Sequence, residues 1–152
     1  MSHRVFVYGT LKRGFYNHKH ISSSNATYLG DRTTSTRYPL FVDFYKIPYL
    51  VNAPNEPFCK PIAGELYNID DATLQTLDVL EGVAAKRYER VSVNLDDEKE
   101  PCWIYLLPNR EELQLSKRET ITSYTKEIHE AYVPPGDRRD MSRFNSAWGG
   151  FQ

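Results

Sequence analysis

The stretch Val5-Phe6-Val7-Tyr8, closed by Gly9, constrains the fold more than any other part of the chain. β-Branched and aromatic side chains pack well on a pleated surface and lose rotamer freedom in a helix. A run of them without polar interruption predicts a buried first strand, and the glycine ends it. Nine prolines and eight glycines in 152 residues predict many turns, hence a strand-rich chain. One domain of this length buries about 68–70% of its unfolded surface, enough for a core without disulfides or metals. A composition of 40% hydrophobic and 26% charged residues excludes a disordered chain.

The remaining pattern predicts further strands and three helices. Asn17 to Ser24 is polar and fits a short helix, and Thr27 to Thr36 a twisted strand. Leu40-Phe41-Val42 is a short apolar run, and four prolines between 48 and 61 break the next stretch around Tyr49-Leu50-Val51. Ile62 to Ile69 alternates in part, with Gly64 as a candidate bulge. Asp70-Asp71 opens a helix whose apolar positions are Leu74, Leu77, Val79 and Leu80, and Gly82 stops it. Tyr88 to Leu95 alternates and pairs, across a charged loop at 96–101, with Cys102 to Leu107. Ile121, Tyr124, Ile128 and Tyr132 form one stripe of an expected amphipathic helix, ended by Pro134-Pro135. The whole, residues 1–152, is expected to be a single α+β domain. Phe144, Trp148 and Phe151 are expected to pack on the core or surface, in preference to forming a lid or an exchanged arm.

Several function classes fall away. No run of 18 apolar residues occurs, so no membrane span is expected, and the amino end lacks the apolar core of a secretory signal. Cys59 and Cys102 lack zinc or redox spacing and are expected to be reduced core thiols of a cytoplasmic protein. Asn25-Ala26-Thr27 is then a chance glycosylation sequon. A net charge of −1 implies no bulk binding to polyanions. Residues 1–37 nevertheless carry six Lys or Arg against Asp31 alone, either facing an anionic ligand or forming a solvated rim. Nucleic acid would need exposed aromatics on a basic face. Tyr8, Tyr67 and Tyr105 lie in apolar runs instead, so no nucleic-acid partner is expected, and the chain is expected to be a monomer.

Few residues offer chemistry. There is no lipase-type serine elbow, zincin motif, Walker loop or dinucleotide fingerprint. His18 and His20, two apart, would share a strand face, but no third ligand accompanies them, so no metal is expected. Ser22-Ser23-Ser24 lacks a partner base. Two features remain. Tyr8-Gly9-Thr10-Leu11 follows a buried strand, and its consecutive amides suit either a nest for a carboxylate or an ordinary turn. Lys12 and Arg13 would add a favourable field there. Glu81 ends the helix that starts near Asp70. Burial, the like charge of Asp78 one turn earlier and the negative helix C-terminus would all raise its pKa. The alternative is a solvated charge at a frayed helix end. An enzyme built from these parts would need no cofactor and no covalent intermediate.

The run from Val5 to Gly14, with Asn17-His18, resembles the opening motif of the γ-glutamylcyclotransferase-like (AIG2-like) family. Within that family it is most similar to the branch acting on γ-glutamylamines. Tyr38-Pro39-Leu40, Ile47-Pro48-Tyr49-Leu50, Gly64-Glu65-Leu66-Tyr67, Leu77 to Gly82 and Tyr88-Glu89-Arg90 follow in the family's order. The likeness covers about residues 4–107 and leaves 108–152 as an unmatched extension. Leu80 stands where the family often has Phe, a volume-tolerant change.

The resemblance implies a small mixed β-barrel with a few helices packed outside and a cavity at one end. It implies that the backbone of Tyr8, Gly9, Thr10 and Leu11 binds the glutamyl carboxylate, that Glu81 is the catalytic acid and base, and that Tyr88 lines the pocket. The implied reaction is ring closure: the α-amine of a γ-glutamyl group attacks its own γ-carbonyl, giving 5-oxoproline and a free amine. The substrate would be a γ-glutamylamine such as ε-(γ-glutamyl)lysine. γ-Glutamyl amino acids, glutathione, or non-enzymatic binding of a small carboxylate are the alternatives.

Overall fold

The apolar opening run is the middle strand of a five-stranded mixed sheet in the computed structural model, which describes residues 2–138. This strand, β1 (Ser2–Val7), runs antiparallel to β5 (Lys60–Asp70) and parallel to β7 (Cys102–Leu106). The remaining strands of the sheet are β2 (Thr27–Tyr38), beside β5, and β6 (Glu89–Val93), beside β7. Val5, Phe6 and Val7 are all buried, because both faces of the sheet are covered at this point.

Phe6 points into a cluster with Leu40, Leu50, Ile62 and Leu66. Val5 and Val7 point the other way, against Ile21 of α1 (Lys19–Ser22) and Leu74 and Leu77 of α2 (Asp71–Leu80). A separate hairpin of β3 (Leu40–Val42) and β4 (Pro48–Leu50) carries a third cluster, with Phe41, Tyr49, Leu113 and Leu115. Leu113 and Leu115 lie on two single-turn 3₁₀ segments, Glu111–Leu113 and Leu115–Lys117. They bring the chain beyond β7 back onto the hairpin.

The α+β class is as expected, but the sheet does not close into a barrel. Just past β6, the chain approaches the edge strand β2 through an isolated bridge between Thr34 and Leu95, flanked by Ser35 N–H to Asn94 O at 3.0 Å and Asp96 N–H to Thr33 O at 2.9 Å. Two register breaks in β2, at Tyr28/Gly30 and Thr33/Arg37, bend that strand. Gly64 therefore has a different task from the bulge expected of it. A Cβ there would lie 2.4 Å from the Val7 carbonyl oxygen and 2.6 Å from the Phe6 ring, so only glycine lets β5 approach β1 so closely.

Two helix expectations change. Val79 is 81% exposed, because it lies two positions from Leu77 and turns away from the core. The stripe from Ile121 to Tyr132 is not one helix. Ile121 bridges to Leu40 in extended conformation, its N–H donating to Leu40 O at 2.8 Å. Tyr124 is fully buried, and only Lys126–His129 form a turn of helix, α3, capped by Thr125. Tertiary pairing overrides the 3.6-residue period. His18 and His20 lie at and in α1, not on a strand, and the Nδ1 of His18 bonds the Leu11 carbonyl at 2.8 Å. Cys59 and Cys102 are free and buried. Among the described residues no helix is long and apolar enough to cross a membrane. Phe144, Trp148 and Phe151 lie outside the described residues.

Candidate active site

Glu81 owes its position to the end of α2. Asp70 caps the start of this helix, accepting the Thr73 N–H at 2.8 Å, and Leu74 and Leu77 bury one face. At the other end Gly82 adopts φ +65°, Gly82 N–H donates to Val79 O at 3.1 Å and Val83 N–H to Asp78 O at 3.0 Å. This paired closure is a Schellman motif, which needs a residue free to turn left-handed. It fixes Glu81 as the last right-handed residue, its side chain on the wall of a cavity of about 400 Å³. That volume suits a small molecule.

The loop after β1 borders the same cavity through Tyr8, Gly9, Thr10 and Leu11. The loop is pinned by its own bonds: Asn17 N–H to Thr10 O at 2.8 Å, Asn17 Nδ2 to Thr10 Oγ1 at 2.7 Å, and Lys12 N–H to Gly9 O at 3.1 Å. Among the described residues the N–H groups of Gly9, Thr10 and Leu11 donate to no protein acceptor. Consecutive unspent amides of this kind suit an anion. Gly9 is required by close packing, since a Cβ would sit 2.8 Å from Pro48 Cγ.

Tyr8 and Tyr88 complete the setting of Glu81. The Tyr8 hydroxyl donates to the Tyr105 carbonyl at 2.6 Å, and Tyr88 borders the cavity. Burial raises the pKa of both phenols; Tyr8 also feels Tyr88 and Glu81, and Tyr88 feels Glu81 and Asp43. The three groups thus share one low-dielectric space.

Burial pushes the Glu81 pKa up to about 7, and Arg87 opposes the rise. The expected help from Asp78 does not materialise. Asp78 is occupied by the Tyr105 hydroxyl at 2.7 Å and the Arg90 guanidinium at 2.9 Å, so desolvation acts on Glu81 without a like charge beside it. Nor do Lys12 and Arg13 face this cavity. Lys12 Nζ donates to the Tyr124 carbonyl at 2.6 Å, and Arg13 bonds Glu65. The cavity's cations are Arg87 and Arg138, which no local sequence pattern distinguishes. Ile47 and Pro48, part of a motif quoted above, border it as well.

All six residues expected at a site therefore lie on one cavity. No group of three or more metal-ligating side chains occurs among the described residues.

Comparison with known proteins places this fold in a known family. The family model described as "Gamma-glutamyl cyclotransferase, AIG2-like" matches residues 5–126, running past the point where the sequence likeness fades. A Drosophila melanogaster protein provisionally named a gamma-glutamylcyclotransferase is 38% identical over 130 residues, covering 82% of this chain and 81% of its own. The Rattus norvegicus gamma-glutamylaminecyclotransferase is 38% identical over 99 residues, covering 62% of this chain and 64% of its own. The crystal structure of an AIG2-like protein from Mus musculus superposes with a TM-score of 0.76 at 27% identity, covering 91% of this chain and 99% of the other. A match over most of the chain, on a fold that gathers the motif residues round one cavity, makes this protein a member of the AIG2-like γ-glutamylcyclotransferase family.

Proposed function

We propose that the chain is a γ-glutamylamine cyclotransferase acting on compounds such as ε-(γ-glutamyl)lysine. The amides of residues 9–11, just past the end of β1, hold the α-carboxylate of the glutamyl group. The Glu81 carboxylate takes a proton from the α-ammonium. The freed amine attacks the γ-carbonyl and forms the ring C–N bond. The bond from that carbon to the leaving nitrogen then breaks as protonated Glu81 gives its proton to the departing amine; the ring nitrogen's remaining extra proton passes, through the regenerated Glu81 carboxylate, to the released amine, which leaves as an ammonium. The products are 5-oxoproline and the free amine. No side chain bonds covalently to the substrate, which supplies its own nucleophile.

The observation that carries this reading is a half-buried carboxylate with a pKa near 7, bordering the same cavity as three unspent amides. An ordinary glutamate at about 4.3 is a poor base for an α-ammonium at about 7.7–8.0. Glu81 narrows that gap to about 1 unit, or about 1.4 kcal/mol. Holding amine and carbonyl about 3–3.5 Å apart supplies the larger share, about 7–11 kcal/mol in well-oriented cases. The names of the rat and other relatives favour γ-glutamylamines among the family's substrates.

The test is release of 5-oxoproline from ε-(γ-glutamyl)lysine, γ-glutamyl-alanine and glutathione in parallel. The first should give the highest kcat/KM. Preference for either of the others replaces the substrate assignment. Binding of 5-oxoproline with no release from any substrate would leave a binding module.

A further inference from the structure

Beyond Glu81 and the amide loop, one wall of the cavity comes from chain outside the segment matched to the family. Tyr132, Pro135 and Arg138 border the cavity, whereas the family match ends at residue 126. This wall is built. Val133 N–H donates to Tyr45 O at 3.0 Å, tying it to the turn between β3 and β4. The Tyr132 ring stacks on His129 with centroids 4.9 Å apart and planes 22° from parallel. Arg138 is fixed at two points, its Nε donating to Val133 O at 2.9 Å and an Nη to the Tyr132 hydroxyl at 3.0 Å. A guanidinium has five N–H donors, so the others are available to a ligand.

No carboxylate neutralises this guanidinium within ion-pair distance among the described residues. The acid in its field, Asp43, is buried and already accepts from Tyr45 N–H and Ile47 N–H, each at 2.9 Å, and from the Tyr49 hydroxyl at 3.1 Å. A fixed, unneutralised guanidinium on a cavity wall is suited to a carboxylate. Its field reaches Tyr49 and Tyr88, while Arg87 is the cation that acts on Glu81. With the α-carboxylate assigned above to the amides of residues 9–11, Arg138 offers a second anion site on the same cavity.

We propose that Arg138 selects leaving amines that carry a carboxylate remote from the scissile nitrogen, as lysine does when it is linked through its side chain. This rests on the reaction proposed above and names its leaving-group class. Arg138 is a specificity residue and plays no part in the proton transfers.

γ-Glutamylcadaverine is the matched probe, since it is ε-(γ-glutamyl)lysine without the lysine carboxylate. Binding of both compounds is measured by calorimetry in a Glu81→Gln background, where turnover does not interfere. The lysine compound should bind at least about tenfold tighter, as expected for a charge-assisted contact. Adding Arg138→Gln should bring the ratio to within about twofold, and Arg138→Lys should retain part of it. A ratio that persists in Arg138→Gln, equal binding with Arg138 present, or no binding of either compound overturns the assignment. A protein that shows this selectivity, yet releases no 5-oxoproline when Glu81 is intact, overturns the proposed reaction and spares the role of Arg138.

Discussion

The Tyr105 hydroxyl donates to the Asp78 carboxylate at 2.7 Å, so the middle of β7 is tied directly to the last turn of α2. The carbonyl of the same Tyr105 accepts the Tyr8 hydroxyl at 2.6 Å, which extends the tie to the end of β1. Asp78 also pairs with Arg90, whose guanidinium lies over the Trp103 ring at 4.4 Å. Asp78→Ala leaves the hydroxyl of buried Tyr105 and the half-buried Arg90 guanidinium without their acceptor. The expected cost is about 1–3 kcal/mol, seen as a lower urea midpoint with an unchanged m-value.

Glu81→Gln keeps the shape of the side chain and removes the base. kcat should fall by about 10²–10⁴-fold, the usual contribution of general acid–base catalysis. Binding of 5-oxoproline, followed by calorimetry, should change little. Near-wild-type turnover in this variant would remove Glu81 from the mechanism.

The pKa near 7 sets the pH response. If Glu81 is the base, as proposed, it must be ionised, so kcat/KM should rise with pH through about 7. Arg87 favours the ionised form, so Arg87→Gln should move that limb to higher pH. Stability runs the other way. The native carboxylate holds its proton more tightly than the unfolded one, so stability falls as pH rises from about 4.5 to about 7. Glu81→Gln should flatten that slope in denaturation measured at several pH values.

Gly82→Ala forces a Cβ into φ +65° and to 3.1 Å from Arg87 Cβ. We expect about 1 kcal/mol of destabilisation. Because the same residue closes the helix behind Glu81, kcat should fall by more than this loss of stability explains. Turnover measured well below the unfolding transition separates the two effects.

Gly64→Ala tests the packing of β5 on β1. Its Cβ would overlap the Val7 carbonyl and the Phe6 ring, where the backbone itself is in the way. Overpacking of this kind costs about 1–3 kcal/mol or more, and a lowered thermal midpoint is the measurement. A variant with wild-type stability would show that the strands separate more easily than their pairing of Val7 with Glu65 implies.

Local chemistry in the sequence carries much of this fold. The β-branched opening run, the Asp70 cap and the Gly82 stop each act through neighbours a few residues away, and each is where its side-chain chemistry predicts. The stripe from Ile121 to Tyr132 misleads for the opposite reason: Ile121 is claimed by Leu40, about eighty residues earlier, and a backbone pairing outweighs helical periodicity. Sheet closure is equally illegible, because it depends on how far β2 bends at its two register breaks. Glu81 and residues 8–11 can be found through the motif they belong to. Arg87 and Arg138 cannot, since a surface-like arginine gains meaning only when distant segments fold around it. Lys12 and Arg13 show the converse, as basic residues next to the loop whose charges are spent on Tyr124 and Glu65.

The direction of β1 has a practical corollary. Its first residue, Ser2, pairs with Asp70 at one end of the sheet, and its last, Val7, hands the backbone to the loop at residues 8–11 at the other. At about 3.3 Å per residue the two ends stand roughly 17 Å apart. A purification handle or fluorescent label fused ahead of Ser2 would thus project from the opposite pole to the pocket mouth, and kinetic work on such fusions should report the untagged enzyme's rates.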